Sequence, residues 1–137
     1  MKRIVALDFG TKRTGVAVTD PLKMIASGLE TVPTKELISY LKKYMETEAV
    51  AAFVIGEPKQ MDNSPSESEV HIQAFMADLA QAFPEIAIER QDERFTSKMA
   101  VQAMLDGGMK KKKRQEKGMI DQVSATIILQ AYLNKIS

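Results

Sequence analysis

Cysteine is absent from this chain of 137 residues, which excludes a disulfide scaffold, a thiolate metal site and a cysteine nucleophile together. Histidine occurs once, as His71, so a zinc centre has no second imidazole to use. No apolar run approaches the ~20 residues that a membrane helix needs, and the first residues lead into a strand pattern rather than a signal peptide. The expectation is a soluble, cytoplasmic protein with no membrane partner. Internal repeats are also lacking. What is there is apolar material, 45% of residues, enough for one domain spanning 1–137 to bury a core.

Excess charge of one sign is lacking too, the net being +1, but its distribution is uneven. MKKKKRQEKG, Met109 to Gly118, holds six basic residues and one acid. Taking these from the 19 basic and 18 acidic residues of the chain leaves 13 and 17, a net of −4 for the rest. One basic loop on a mildly acidic body is either a solvated loop or the electrostatic footprint of a polyanion.

Residues 3–9 and 13–19 are β-rich runs joined by FGTKR and predict a hairpin; residues 24–32 follow as a third strand after Asp20-Pro21. From Thr34, a candidate N-cap, Leu37, Ile38, Leu41 and Tyr44 or Met45 keep helical spacing. AAFVIG, 51–56, is an apolar run suited to a strand covered on both faces. A loop then leads to a helix starting near Ser66 or Ser68 and carrying Val70, Phe75, Met76, Leu79 and Phe83. Strand 86–92, a helix from Thr96 or Ser97 through Leu105, and a last helix over 119–134 complete the order β-β-β-α-β-α-β-α-α. That is an α/β protein with a mixed five-stranded sheet, three strands antiparallel and two parallel, flanked by helices. The ribonuclease H-like fold has this order, and other α/β layouts share it.

Asp8 ends an apolar strand, where an unpaired carboxylate costs several kcal/mol unless a cation, a donor or a task accompanies it. Asp92 and Glu93 end another strand, and Asp121 opens the last helix on a stripe with Ser124, Ala125 and Ile128 that can press on the sheet. Ligand chemistry in such sheets gathers at the carboxyl ends of parallel strands, so the acids can converge. Like charges that close raise each other's pKa until a cation enters, and an all-oxygen set suits Mg2+ or Mn2+. Two such ions ~3.5–4 Å apart activate water and stabilise a leaving oxygen in phosphodiester hydrolysis. Each acid also has a plainer explanation. Asp8 can accept turn N–H bonds, Glu93 can pair with Arg94 or Lys98 while Asp92 serves the turn, and a helix dipole favours Asp121. His71, on a polar helix face, is a surface residue.

DFGTKRTGVAVTD at Asp8 to Asp20, IGEPKQMDN at Ile55 to Asn63, DERFTS at Asp92 to Ser97 and IDQVSATIILQAYL at Ile120 to Leu133 together resemble the YqgF family. These are bacterial proteins of ribonuclease H-like fold, described both as Holliday junction resolvases and as pre-16S rRNA nucleases. The resemblance is collinear and covers essentially the whole chain. It implies a metal-dependent nuclease with Asp8, Glu93 and Asp121 as catalytic metal ligands and Asp92 as substitute or neighbour, acting in 5′-end maturation of small-subunit rRNA alongside ribosomes. Lys12 and Arg13 match the KR of the first motif and are placed to hold a phosphate, as is Arg94 of DER. Lys110, Lys111, Lys112, Lys113 and Arg114 fall where the family carries a basic loop, which makes them candidate phosphate contacts. Two positions depart from the family: Gly56-Glu57-Pro58 replaces GLP, and Asn63 stands where a glycine is usual.

The first motif also resembles the phosphate-binding hairpin of sugar kinases and actin, but those proteins close two domains around ATP and this chain is too short. Two functions compete with rRNA processing: resolution of Holliday junctions, and non-catalytic binding of nucleic acid or the ribosome. Cutting two strands symmetrically needs a two-fold dimer, whereas a processing nuclease can act as a monomer or weak homodimer. With no Trp, 3 Tyr and 5 Phe, recognition by base stacking is limited.

Overall fold

The computed structural model describes residues 2–58, 67–93 and 117–136. Strands β1 (Arg3–Asp8), β2 (Arg13–Thr19) and β3 (Ala26–Pro33) are followed by a 3-10 turn, Thr34–Glu36, and helix α1 (Leu37–Tyr44). Then come β4 (Val50–Glu57), α2 (Glu69–Ala82), β5 (Ala87–Asp92) and α3 (Lys117–Ile136). The sheet order is β3-β2-β1-β4-β5. β1–β2 and β2–β3 pair antiparallel, while β1–β4 and β4–β5 pair parallel. The expected mixed α/β sheet is therefore present. The helix expected over 96–105 and the basic segment Lys110 to Arg114 lie outside the described residues, as does Arg94. Among the described residues, no helix is long and apolar enough to cross a membrane.

Alternation along the strands sorts residues by size between two layers. Val5, Leu7, Val16, Val18, Phe53 and Ile55 form one buried face with Leu37 and Leu41 of α1 and Ile72, Phe75 and Leu79 of α2. The opposite face presents Ile4, Ala6, Ala17 and Val54 to Ala125, Ile128, Leu129 and Leu133 of α3. Small residues on this second face let α3 lie close to the sheet. At Gly15 the approach is backbone to backbone: a Cβ there would collide with the carbonyl of Asp121.

Several local details differ from expectation. Strand β3 begins at Ala26 rather than residue 24, because the Asp20 carboxylate accepts the N–H groups of Met24 and Ile25 at 2.8 and 2.7 Å and keeps them out of the ladder. Thr34 does not cap α1; its N–H donates to Lys12 O and its hydroxyl to Gly10 O, pinning the β1–β2 turn from below. Val70 is exposed and Ile72 takes its place in the core, since Ile72, Phe75 and Leu79 share one helical face. Asp121 sits in the second turn of α3, whose first turn holds no acid, so the helix dipole does little for it. His71 is exposed, as expected.

Candidate functional site

Period-two alternation places Asp8 of β1, Arg13 and Gly15 of β2, Gly56 of β4 and Glu93 just past β5 on the face that α3 covers. Asp8 lies opposite Gly15 in the β1–β2 ladder. Since α3 presses its Asp121 backbone against Gly15, Asp121 arrives beside Asp8 although 113 residues separate them. Ser124, Ala125 and Ile128 of the expected stripe are all buried against the sheet.

Glu93 has farther to reach. β4 lies between β1 and β5, so the two outer strands are about 10 Å apart at the usual interstrand spacing. The long glutamate side chain crosses β4 at Gly56, where a Cβ would come within 2.5 Å of Glu93 Oε2, and hydrogen-bonds to the Asp8 carboxyl. The Glu93 N–H donates to Glu57 O at 3.2 Å, which extends the β4–β5 pairing just far enough to hold that side chain over the gap. Arg90 supports the arrangement from the other face: it donates to Ile55 O and Gly56 O, and two of its nitrogens each donate to a Glu69 carboxylate oxygen at 2.9 Å, locking the start of α2 to β4 and β5.

Burial, and then the charge of Asp121, push the Asp8 carboxyl up to about 6. Burial, and then Asp8, push Glu93 up to about 9, so the pair holds one proton between them near neutrality. Asp121 instead takes the guanidinium of Arg13, whose Nε lies 2.5 Å from Asp121 Oδ2. Among the described residues no three acidic or histidine side chains form a ready metal-binding group. Asp121 is engaged by Arg13, while Asp8 and Glu93 bond to each other. The donor set nevertheless fits a hard divalent cation: three carboxylates, two of them half-buried without a positive partner close enough to keep both ionised. Ser124, one turn along α3 from Asp121, adds a buried hydroxyl with no hydrogen-bond partner among the described residues.

Asp92 is exposed and, by alternation, points away from the α3 face. Glu57 is half-buried at the end of β4, where its charge acts on Arg90. Lys12 is exposed on the pinned β1–β2 turn. Arg94 and Lys110 to Arg114 lie outside the described residues. Three contributors escape a reading of the sequence: Gly15 and Gly56, which open the two approaches, and Arg90. Their signals are a glycine at an inward position of each of two strands and an arginine in the middle of a strand.

The raised carboxyls set a sign for pH dependence. Their folded values exceed the ordinary 3.8 and 4.5, so the folded protein binds more protons than the unfolded chain between those values and about 9. This contribution to stability is complete in acid and is lost as pH rises through 6 and then 9. Asp20 and Glu69, held low by backbone N–H groups and by Arg90, act oppositely and lose theirs in acid. Metal-free protein in chelator is therefore expected to melt higher at pH 5 than at pH 8.5, by on the order of 5 °C. Calorimetry across that range checks it, and a flat profile would count against the shared proton.

A family model, RuvX, described as a Holliday junction resolvase, matches residues 2–135. A protein of Christiangramia forsetii named "Putative pre-16S rRNA nuclease" is 64% identical over 133 residues, covering 97% of this chain and 98% of that protein. A protein of the same name from Flavobacterium johnsoniae is 56% identical, covering 98% of this chain and 97% of its own. Among solved structures, Thermus thermophilus RuvC in complex with a Holliday junction substrate superposes with a TM-score of 0.57 at 17% identity, over 100% of this chain and 97% of RuvC. A second Thermus thermophilus RuvC structure gives 0.56 at 13% identity, over 98% of this chain and 96% of RuvC. The ribonuclease H-like fold is thus shared.

Proposed function

This chain belongs to the RuvX family, the family its motifs resemble under the name YqgF, and from that membership we propose a nuclease that hydrolyses phosphodiester bonds in pre-16S rRNA with a divalent cation. One observation carries the chemistry: Asp8 and Glu93, from strands on either side of β4, meet across Gly56 in a half-buried position beside Asp121. A fold keeps three acids in such a place at a cost, and a catalytic centre is the function that repays it.

In this reading Asp8, Glu93 and Asp121 hold Mg2+ or Mn2+, and Asp92 on the other side of its strand is a neighbour rather than a ligand. The bound cation supplies Lewis-acid stabilisation of charge developing on the phosphate. Asp8 and Glu93 release their shared proton to act as ligands, which ties cation affinity to pH. Lys12, on the turn pinned by Thr34, and Arg13 orient a substrate phosphate. Arg94 and the cluster Lys110, Lys111, Lys112, Lys113 and Arg114 add phosphate contacts that position the strand without reading its sequence. The substrate is the single-stranded 5′ precursor segment, on or beside the ribosomal particle in the cytoplasm. One domain over 1–137, acting as a monomer, suffices for a single cut.

The test uses the purified chain with Mn2+ or Mg2+, and with chelator, on two end-labelled substrates: a single-stranded rRNA precursor and a four-way DNA junction. Cation-dependent cutting of the RNA, abolished by chelator, is expected. Cutting of the junction alone would instead assign the protein to recombination, the activity for which the family model is described. Binding of both substrates with neither cut would make it a non-catalytic binding module.

A further inference from the structure

We propose that Arg13 is a latch on Asp121 that couples entry of the divalent cation to capture of a substrate phosphate, an inference that rests on the nuclease reading above. The contact joins the start of β2 to α3, and Arg13 Nε donates to Asp121 Oδ2. This pair is open to water, with side-chain exposures of 41% for Arg13 and 22% for Asp121. An ion pair that exposed is weak enough to exchange partners.

The place for the released guanidinium is beside it. A cavity of about 250 Å³ is lined by Gly10, Thr11, Lys12, Arg13 and Asp121, so Lys12 and Arg13 share its wall. The turn that carries them need not move, because Thr34 donates its hydroxyl to Gly10 O and its N–H to Lys12 O. Only the Arg13 side chain has to swing.

Asp121 can be neutralised by Arg13 or by a cation held with Asp8 and Glu93, and the two positive groups compete for it. When the cation wins, Arg13 is left next to Lys12 with its charge unmatched, and a phosphate in the adjoining cavity meets both. Each ligand therefore favours the other, and the coupling is reciprocal. With neither bound, Arg13 is the positive partner of Asp121.

Mn2+ binding is measured by loss of the free-ion paramagnetic signal. Binding of a nuclease-resistant 2′-O-methyl phosphorothioate 12-mer is measured by fluorescence anisotropy with and without Mn2+. Arg13→Gln is expected to bind Mn2+ about tenfold more tightly than wild type in the absence of oligonucleotide. Wild type should bind the 12-mer about tenfold more tightly when Mn2+ is present, and the variant should lose that dependence. Asp121→Asn frees Arg13 without removing it and should bind the 12-mer more tightly than wild type in chelator. Unchanged or weaker Mn2+ binding by Arg13→Gln, or no gain in Asp121→Asn, overturns the latch alone. Failure of wild type to bind Mn2+ at all overturns the metal site and the latch with it.

Discussion

Asp8→Asn is expected to lower single-turnover cleavage about a thousandfold or more while raising the melting temperature above pH 7. The two effects come from one group. Asparagine has the shape of aspartate and its amide can still hydrogen-bond to Glu93, so the contact over Gly56 survives in form. The charge goes, and with it the repulsion from Asp121 that accompanies burial in pushing Asp8 up to about 6, and the charge by which Asp8 helps push Glu93 up to about 9. A carboxylate ligand is lost at the same time. Lewis-acid stabilisation of a phosphoryl transition state is worth several kcal/mol, and about 4 kcal/mol is a thousandfold in rate. Quantitative cleavage and thermal melts at pH 8 on the same preparation check both halves. Retained cleavage would remove Asp8 from the site. A lowered melting temperature would contradict the charge compression that motivates the site.

Gly15→Ala has the largest expected effect on the fold. Its Cβ would meet the carbonyl oxygen and carbon of Asp121 and lie 3.0 Å from the Gln122 nitrogen, all of them helix backbone. No rotamer change relieves that collision, so α3 must lift from the sheet, and its contacts with Ala6, Ala17 and Val54 loosen together. The loss is expected to be about 3 kcal/mol, the upper range for overpacking, and is read from the denaturant midpoint of an equilibrium unfolding curve. Cleavage should fall as well, because the same movement draws Asp121 away from Asp8. Gly28→Ala is the matched control: its Cβ would meet only side-chain atoms of Thr126 and Gln122, at 3.3 to 3.5 Å. A loss below about 1 kcal/mol for Gly15→Ala would mean that α3 does not rest backbone-to-backbone on β2.

The acids themselves are legible from the chain. Each marks a point where an apolar pattern is broken by a charge: Asp8 at the end of a continuous strand run, Glu93 after another, Asp121 on an otherwise small and apolar helical stripe. Alternation then determines which face each strand residue occupies, and it puts Asp8 and Glu93 on the same one. The order of elements follows from the switch between two-residue and 3.6-residue periods, and the hairpin from turn chemistry at FGTKR. These are properties of neighbouring residues, so a linear sequence carries them.

What the sequence leaves open is every relation that depends on distance across the sheet. Gly56 reads as the last residue of an apolar strand run; its role as the gap through which Glu93 reaches Asp8 exists only because β4 lies between β1 and β5. Thr34 reads as a helix cap and instead pins the β1–β2 turn, because β3 brings it beside Gly10. Arg13 reads as a phosphate ligand, and the structure adds its ion pair with a residue 108 positions away. The residue types and their local periods thus determined the fold class, the four motifs pointed to the family, and the breaks in the apolar pattern marked the three acids as candidates. Tertiary packing alone decided which acids share a proton, which one holds an arginine, and which glycines make room for them, since strand order and helix depth are set by contacts between distant segments that no local pattern encodes.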